Sequence, residues 1–381
     1  DRFTAVTEAF GAIKEIKVGG LEQVYIRRYS GPAKTYGLSQ FYQQIVTLLP
    51  RFALEAILFG GLLLIILYLM KQAGSFVNAA PVIALYAFAG YRMMPAMQQI
   101  YIAFSSLRFV RPSLDFMYSE MKNSSISEPN NTLAELVFEK SISLNNVSYN
   151  YPNASRTALK NINFKIASGS TVGIVGVTGC GKTTTVDIIL GLLKPQKGTI
   201  EVDDQIINKK NKRTWQSLIG YVPQQIYLTD DTIAANIAFG IDPKKIDQKN
   251  VENVAKIANL HDFVNKELPL KYQTKVGERG VRLSGGQRQR IGIARALYHK
   301  PKLVIFDEAT SALDNLTEKN VMDAVHNIDD SMTIILIAHR LSTVKKCDNI
   351  YLLQDGELKD NGTYNQLIEI NDSFRKSVFE K

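Results

Sequence analysis

A glycine-rich loop set between an apolar strand and a helix constrains this chain more than any other segment. Residues Gly176-Val177-Thr178-Gly179-Cys180-Gly181-Lys182-Thr183 follow the apolar run Thr171-Val172-Gly173-Ile174-Val175 and precede a helical run from Thr184 to Leu193. They match the spacing G-x-x-x-x-G-K-[ST]. Glycines at these intervals let successive backbone N–H groups turn toward one centre and form a concave anion site. The helix that follows directs its positive end at the same centre. Lys182 then reaches the β- and γ-phosphates of a nucleotide, and the Thr183 hydroxyl is placed to bind Mg2+. Gly176, Thr178, Gly179, Cys180, Gly181, Lys182, Thr183 and the adjoining Thr184 are the expected nucleotide-binding set.

The chain has 381 residues, 45% of them hydrophobic, which is enough for two or more domains. Its net charge of +9 is spread along the sequence rather than gathered in one stripe. That argues against a nucleic-acid surface and fits a membrane protein with a cytoplasmic bulk. Cys180 and Cys347 match no metal-ligand spacing and no disulfide framework, which points to a reducing compartment. The sequence opens on Asp1, with neither an initiator methionine nor a leader, so an upstream part of the protein is expected to be missing.

Residues 1 to about 40 are amphipathic and mixed in charge, and read as helices in water broken at Gly19-Gly20. Two apolar stretches follow, over 52–70 and 76–107. A helix of about 20 residues rises about 30 Å, the thickness of the hydrocarbon core. The first stretch, apolar on every side from Ile57 to Met70, is the stronger candidate span; Pro81, Arg92 and Pro95 interrupt the second. A pair of buried core helices is the alternative. Glu55 and Arg92 are costly against lipid, and belong at the interface or facing a cavity. Residues 123–136 are polar and read as a linker between a region 1–122 and a region 137–381. Beyond it the pattern alternates strands, as at 141–149 and 159–166, with helices.

Leu303-Val304-Ile305-Phe306-Asp307-Glu308 reads as a strand buried on both faces, as in a parallel sheet, ending in two acids. Open α/β sheets bind ligands at that end. Asp307 is placed to hold Mg2+, and Glu308 to orient or deprotonate an attacking water. Leu283-Ser284-Gly285-Gly286-Gln287 opens a helical run from Arg288 to Tyr298 and makes a second anion-binding surface. One chain cannot easily apply both surfaces to one γ-phosphate; two chains in two-fold symmetry can.

Gly176 to Thr183, Gln224, Leu283 to Gln287, Leu303 to Glu308, Ser311-Ala312-Leu313-Asp314 and His339 occur in the order seen in ATP-binding cassette (ABC) proteins, and on them the region 137–381 resembles an ABC nucleotide-binding domain. The resemblance implies ATP and Mg2+ as ligands and an ATP-driven dimer. Tyr151, just before Pro152, resembles the aromatic that stacks on adenine; otherwise it is a strand aromatic in the core. Gln224, in Tyr221-Val222-Pro223-Gln224, resembles the glutamine that meets Mg2+ and senses the membrane domain. His339 resembles the switch histidine at the γ-phosphate, and Asp314 the residue that couples the two sites across the dimer. Cys180 stands where many relatives carry serine, which should not abolish binding because the backbone makes the cradle.

Val276-Gly277-Glu278-Arg279-Gly280 resembles a segment typical of exporter-type members. Residues 1–122 are similar to the last third of an exporter membrane domain. The two spans would be its fifth and sixth helices, and residues 10 to 30 the helices that touch the ATPase. Pro50-Arg51 with Leu54-Glu55 resembles the head of that span in bacterial lipid-linked oligosaccharide flippases.

The expected fold is an α-helical transmembrane domain, represented by its last two helices, plus an α/β P-loop NTPase cassette. The expected catalytic residues are Glu308, His339 and Gln224, with metal at Thr183, Gln224 and Asp307, and with Tyr151, Asp314 and the Ser284–Gln287 segment binding nucleotide. The expected setting is a homodimer in the lipid bilayer of the plasma (inner) membrane, multi-pass, with a cytoplasmic cassette and no nucleic-acid partner. The cargo is open between a lipid-linked glycan, a lipid, a peptide and a drug. A soluble ABC ATPase is the distant alternative, against which the apolar spans argue.

Overall fold

A computed structural model describes residues 2–73, 76–123, 136–152, 154, 156–277, 280–309, 315–326, 332–338, 341 and 343–379. Packing divides the chain into two units, Asp1–Glu128 and Pro129–Lys381.

The first unit is helical: α1 (Arg2–Gly11), α2 (Ile13–Gly19), α3 (Glu22–Ala73) and α4 (Phe76–Asn123). The glycine pair ends α2 as its sequence suggests. Gly20 takes φ 63, and the Leu21 N–H donates to the Ile16 carbonyl at 3.0 Å, which closes the last turn. No break in the helix separates residues 22–40 from the first apolar stretch. α3 runs unbroken through Pro32 and Pro50 and joins both stretches in one helix of 52 residues. α4 likewise continues through Pro81, Pro95 and Pro112. A proline inside a helix costs about 3 kcal/mol; α3 and α4 nevertheless continue through theirs and pack on each other. The Tyr101 hydroxyl donates to the Val46 carbonyl at 3.2 Å, and a Cβ on Gly90 would lie 2.5 Å from Leu58 Cδ1, so the helices approach closely there. Glu55 is paired one turn back with Arg51 at 3.0 Å. Among the described residues, Glu22–Tyr68 is the one helical segment long and apolar enough to cross a membrane by length and composition.

The second unit holds β1 (Ser141–Tyr149), β2 (Leu159–Ala167), β3 (Thr171–Val175), α5 (Lys182–Ile189), β4 (Lys197–Val202), β5 (Gln205–Ile206), α6 (Lys212–Ser217), β6 (Ile219–Val222), α7 (Ile233–Ile237), α8 (Gln248–Ile257), α9 (His261–Glu267), α10 (Gly285–Tyr298), β7 (Leu303–Asp307), α11 (Asn315–His326), β8 (Thr333–Ile337), β9 (Asn349–Gln354), β10 (Glu357–Gly362), α12 (Tyr364–Ile370) and α13 (Asp372–Phe379). Among the described residues the strands form an antiparallel sheet in the order β2-β1-β4-β5 and a larger sheet in the order β10-β9-β3-β8-β7-β6. In the larger sheet β9, β3, β8, β7 and β6 are parallel and β10 returns antiparallel through a tight turn at Asp355-Gly356. Strands β3, β7 and β8 are buried at every position, as parallel strands covered on both faces must be.

Two apolar clusters divide along the faces of this sheet. One joins Val304, Phe306 and Leu336 to the helices α7, α8 and α10. The other joins Ile305, Ile174 and Ile335 to α5, the antiparallel sheet and Trp215. The helix expected over 184–193 starts at Lys182 and ends at Ile189, because Gly191 turns the chain with φ 66. Fully buried Trp215 donates its Nε1 proton to the Ile189 carbonyl at 2.7 Å, satisfying one of the carbonyls the helix end leaves without a partner.

Candidate nucleotide-binding site

The phosphate loop leaves β3 at the carboxyl edge of the parallel sheet. Gly176, Gly179 and Gly181 adopt φ of 151, 80 and 106, a region L side chains rarely enter. Gly181 is the N-cap of α5. Lys182 is 6% exposed, and its Nζ donates to the carbonyls of Gly176 at 2.7 Å and Val177 at 3.3 Å, which holds the ammonium inside the curve of the loop. Cys180 is buried, and its carbonyl accepts the Gly356 N–H at 3.1 Å, so the β9–β10 turn braces the loop from behind. Thr178, Gly179 and Thr183 are exposed, whereas Thr184 is buried with its hydroxyl 3.3 Å from that of Tyr151. Tyr151 lies past the end of β1, 41% exposed, with its ring edge-on to Tyr149 at 5.1 Å. It is not a core aromatic.

Asp307 closes β7 and is buried; Glu308 follows at φ 50. A non-glycine residue held in this conformation costs on the order of 1–3 kcal/mol, and such positions cluster where geometry serves function. The Glu308 N–H donates to the Ile337 carbonyl at 3.0 Å, which ties the turn to β8. The Gln224 amide donates to Glu308 Oε2 at 2.7 Å, so two of the sequence-predicted residues meet. Strand pairing brings them together: β6 runs parallel to β7 with Val222 opposite Phe306, and both strands end on the same edge.

Two residues here were not singled out from sequence. The Tyr221 hydroxyl donates to Asp307 Oδ2 at 3.1 Å. Burial, then the Asp307 charge, raises the Tyr221 phenol above its ordinary range. Asp187, on α5, has its carboxyl raised by burial and by the nearby Asp307 charge. Asp187 stands four residues beyond Thr183 and so on the same helix face. That spacing is a signal the sequence carried; the Tyr221 contact depends on strand register and carried none.

Ser284 is exposed and caps α10. Its Oγ accepts the Gln287 N–H at 3.2 Å, and its own N–H donates to Gln287 Oε1 at 2.8 Å. This reciprocal pair is a capping box. Gly285 and Gly286 form the first turn. Asp314, with Ser311 to Leu313, and His339 lie outside the described residues, as do Glu278 and Arg279.

Thr183, Gln224 and Asp307 offer only oxygen donors to a cation. That chemistry suits Mg2+, a hard ion held by few protein groups together with substrate phosphates. Among the described residues no group of three or more His, Cys, Asp or Glu is placed to form an all-protein metal cage.

A glycine loop with a central lysine, at the carboxyl edge of a parallel sheet that also ends in an acid pair, defines a P-loop nucleotide-binding domain. Its type follows from comparison: residues 159–311 match the family described as ABC transporter, and the chain carries an ABC transporter ATP-binding domain. It is 42% identical over 244 residues to an ATP-dependent lipid A-core flippase of Saccharophagus degradans, covering 64% of this chain and 41% of that one. It is 40% identical over 241 residues to ATP-binding cassette sub-family B member 5 of Mus musculus, covering 63% of this chain and 19% of that one. The chain thus spans less than half the length of these relatives. Among solved structures it matches a bacterial Atm1-family ABC exporter with ATP bound at a TM-score of 0.89 and 27% identity, over 100% of this chain and 66% of the other. The fold, a helical region followed by an α/β nucleotide-binding domain, is that of an ABC exporter.

Proposed function

We propose that this chain works as an exporter-type half-transporter that couples ATP binding and hydrolysis to the movement of a substrate across a membrane, and that it does so as a homodimer. The observation that carries the reading is the meeting of Gln224 with Glu308 at 2.7 Å beside buried Asp307, on the sheet edge that also bears the Lys182 loop.

The loop N–H groups from Gly176 to Thr183, with Thr184 at the helix start, bind the phosphates, and Tyr151 offers its exposed ring to adenine. Lys182 sits against the β- and γ-oxygens. Thr183, Gln224 and Asp307 hold Mg2+, which when bound neutralises charge on the transferring phosphate. Glu308 accepts a proton from the attacking water, its carboxylate aimed by Gln224. His339 contacts the γ-phosphate and Asp314 links the two sites. The first turn of α10, with Ser284, Gly285, Gly286 and Gln287, serves the nucleotide of a second copy. Cleavage removes the γ-phosphate contacts and lets the two copies part.

α3 supports the membrane setting. Its apolar residues are turned outward, with Ile57 and Leu64 each 70% exposed, which core helices of a soluble protein would not be. The setting proposed is the plasma (inner) membrane, multi-pass, with the ATP-binding unit in the cytoplasm. The cargo proposed is a lipid-linked glycan or a lipid, with a peptide or drug as the alternative; flippases and multidrug resistance proteins both stand among the relatives. The test is ATP turnover by the purified chain with and without Lys182→Ala. Turnover by the parent and none by the variant supports the reading; equal turnover removes it. ATP-dependent movement of a labelled lipid in vesicles tests the cargo class.

A further inference from the structure

The reading above uses Asp307 but leaves open what fixes its carboxylate. In parallel strands, side chains at every second residue share a face. Tyr221 pairs with Ile305, so it lies on the face that carries Asp307 two residues further on. The aromatic ring packs against the cluster beneath the sheet, with Ile305 and Trp215. Its hydroxyl emerges from that packing 3.1 Å from Asp307 Oδ2. Asp187 stands on α5, the helix that also carries Thr183, close enough for its charge to act on both Asp307 and Tyr221. Asp307 thus has a neutral donor in contact and a second carboxylate nearby, and the Tyr221 hydroxyl restrains the rotation of its carboxylate.

We propose that Tyr221 is a positioning residue for the metal-binding carboxylate: its hydroxyl holds Asp307 Oδ2 and fixes the rotamer in which Asp307 faces the cation of bound Mg-nucleotide. The proposal rests on the reading of Asp307 as a Mg2+ ligand. It predicts a division that a purely structural role does not. The ring fills the core, and Tyr221→Phe keeps it. The hydroxyl serves the metal, and Tyr221→Phe removes only that.

The experiment uses the whole chain in detergent. With Tyr221→Phe, the Mg2+ concentration giving half-maximal ATP hydrolysis should rise by about tenfold or more, the scale of a hydrogen bond to a charged group. The rate at saturating Mg2+ should stay within about twofold, and nucleotide binding in EDTA should not change. Mn2+ binding to the ADP-bound protein, read by electron paramagnetic resonance, should weaken by the same factor without any turnover. A midpoint within twofold of the parent in both titrations overturns the proposal, as does an equal loss of nucleotide affinity in EDTA. Asp307→Asn separates the two readings. If it shifts both midpoints and Tyr221→Phe does not, only the role of Tyr221 falls; if it shifts neither, the metal site itself is wrongly assigned. Should Tyr221→Phe fail to fold, 3-fluorotyrosine at position 221 decides. Its fluorine resonance should move when Mg2+ joins bound ADP, and an unmoved resonance overturns the proposal.

Discussion

The two loop glycines Gly179 and Gly181 both take positive φ, yet alanine at each should cost different amounts. A left-handed backbone costs an L-residue roughly 1–2 kcal/mol. At Gly179 that is the whole cost, because a Cβ there meets nothing within 4 Å. At Gly181 the Cβ would lie 2.6 Å from Leu159 Cδ2 and 2.8 Å from the Ala158 carbonyl oxygen. Leu159 is fully buried and the carbonyl belongs to the backbone, so neither yields easily. Overpacking of this kind adds about 1–3 kcal/mol, for a total of about 2–5 kcal/mol at Gly181. For a domain of this size each kcal/mol moves the melting midpoint by about 2–4 °C. Gly181→Ala should therefore lower it by at least about 4 °C, and by clearly more than Gly179→Ala. Trp215 is the single tryptophan of the chain and is fully buried in the nucleotide-binding unit, so its fluorescence reports the melting of that unit. A Gly181→Ala midpoint equal to or above that of Gly179→Ala would refute the steric argument.

Other substitutions probe the site and its supports. Glu308→Gln keeps an acceptor oxygen for the Gln224 amide but loses the base, so ATP turnover should fall about 10²- to 10⁴-fold while ATP remains bound, read by phosphate release and nucleotide retention. Arg295 donates to the carbonyls of Asn236 and Tyr227 and to Asn236 Oδ1, and burial lowers its pKa to about 10, which leaves it charged at neutral pH. Arg295→Lys cannot span all three acceptors and should cost about 2–3 kcal/mol in the Trp215 melt. The Asp203 carboxylate accepts N–H groups from Glu139, Lys140 and Ser141 at 2.7, 2.8 and 2.8 Å. Burial opposes its ionisation, but the three bonds outweigh it and hold its pKa below 3.8. A lowered pKa stabilises the fold fully above the unfolded value, and that contribution is lost as pH falls through the folded one. Asp203→Asn should melt earlier at pH 7 and lose less than the parent as pH drops below 3.8, measured by melts across pH.

The parts legible in the sequence were those set by local chemistry. The loop from Gly176 to Thr183 needs glycine where φ is positive, and β3 and β7 are apolar except for Thr171 and Asp307 at their ends, because both faces are covered. What escaped were features set by long-range pairing. The Tyr221–Asp307 contact follows from the register of β6 on β7, which no spacing announces. The unbroken course of α3 through Pro32 and Pro50 runs against the local signal, since proline is the residue that most disfavours a helix interior. The sequence pattern overruns the end of α5 at Ile189 because apolar Leu190, Leu192 and Leu193 continue the helical spacing past the turn at Gly191.

The capping box at the start of α10 has a chemical corollary. A serine oxygen engaged by the Gln287 N–H has one of its two lone pairs turned inward, so the side chain shows the outside its proton and a single remaining lone pair. Ser284 is thereby biased to give rather than receive. It suits an oxyanion arriving from beyond the chain. Alanine at this position would take away the helix stop and the outward proton together, whereas threonine would keep both.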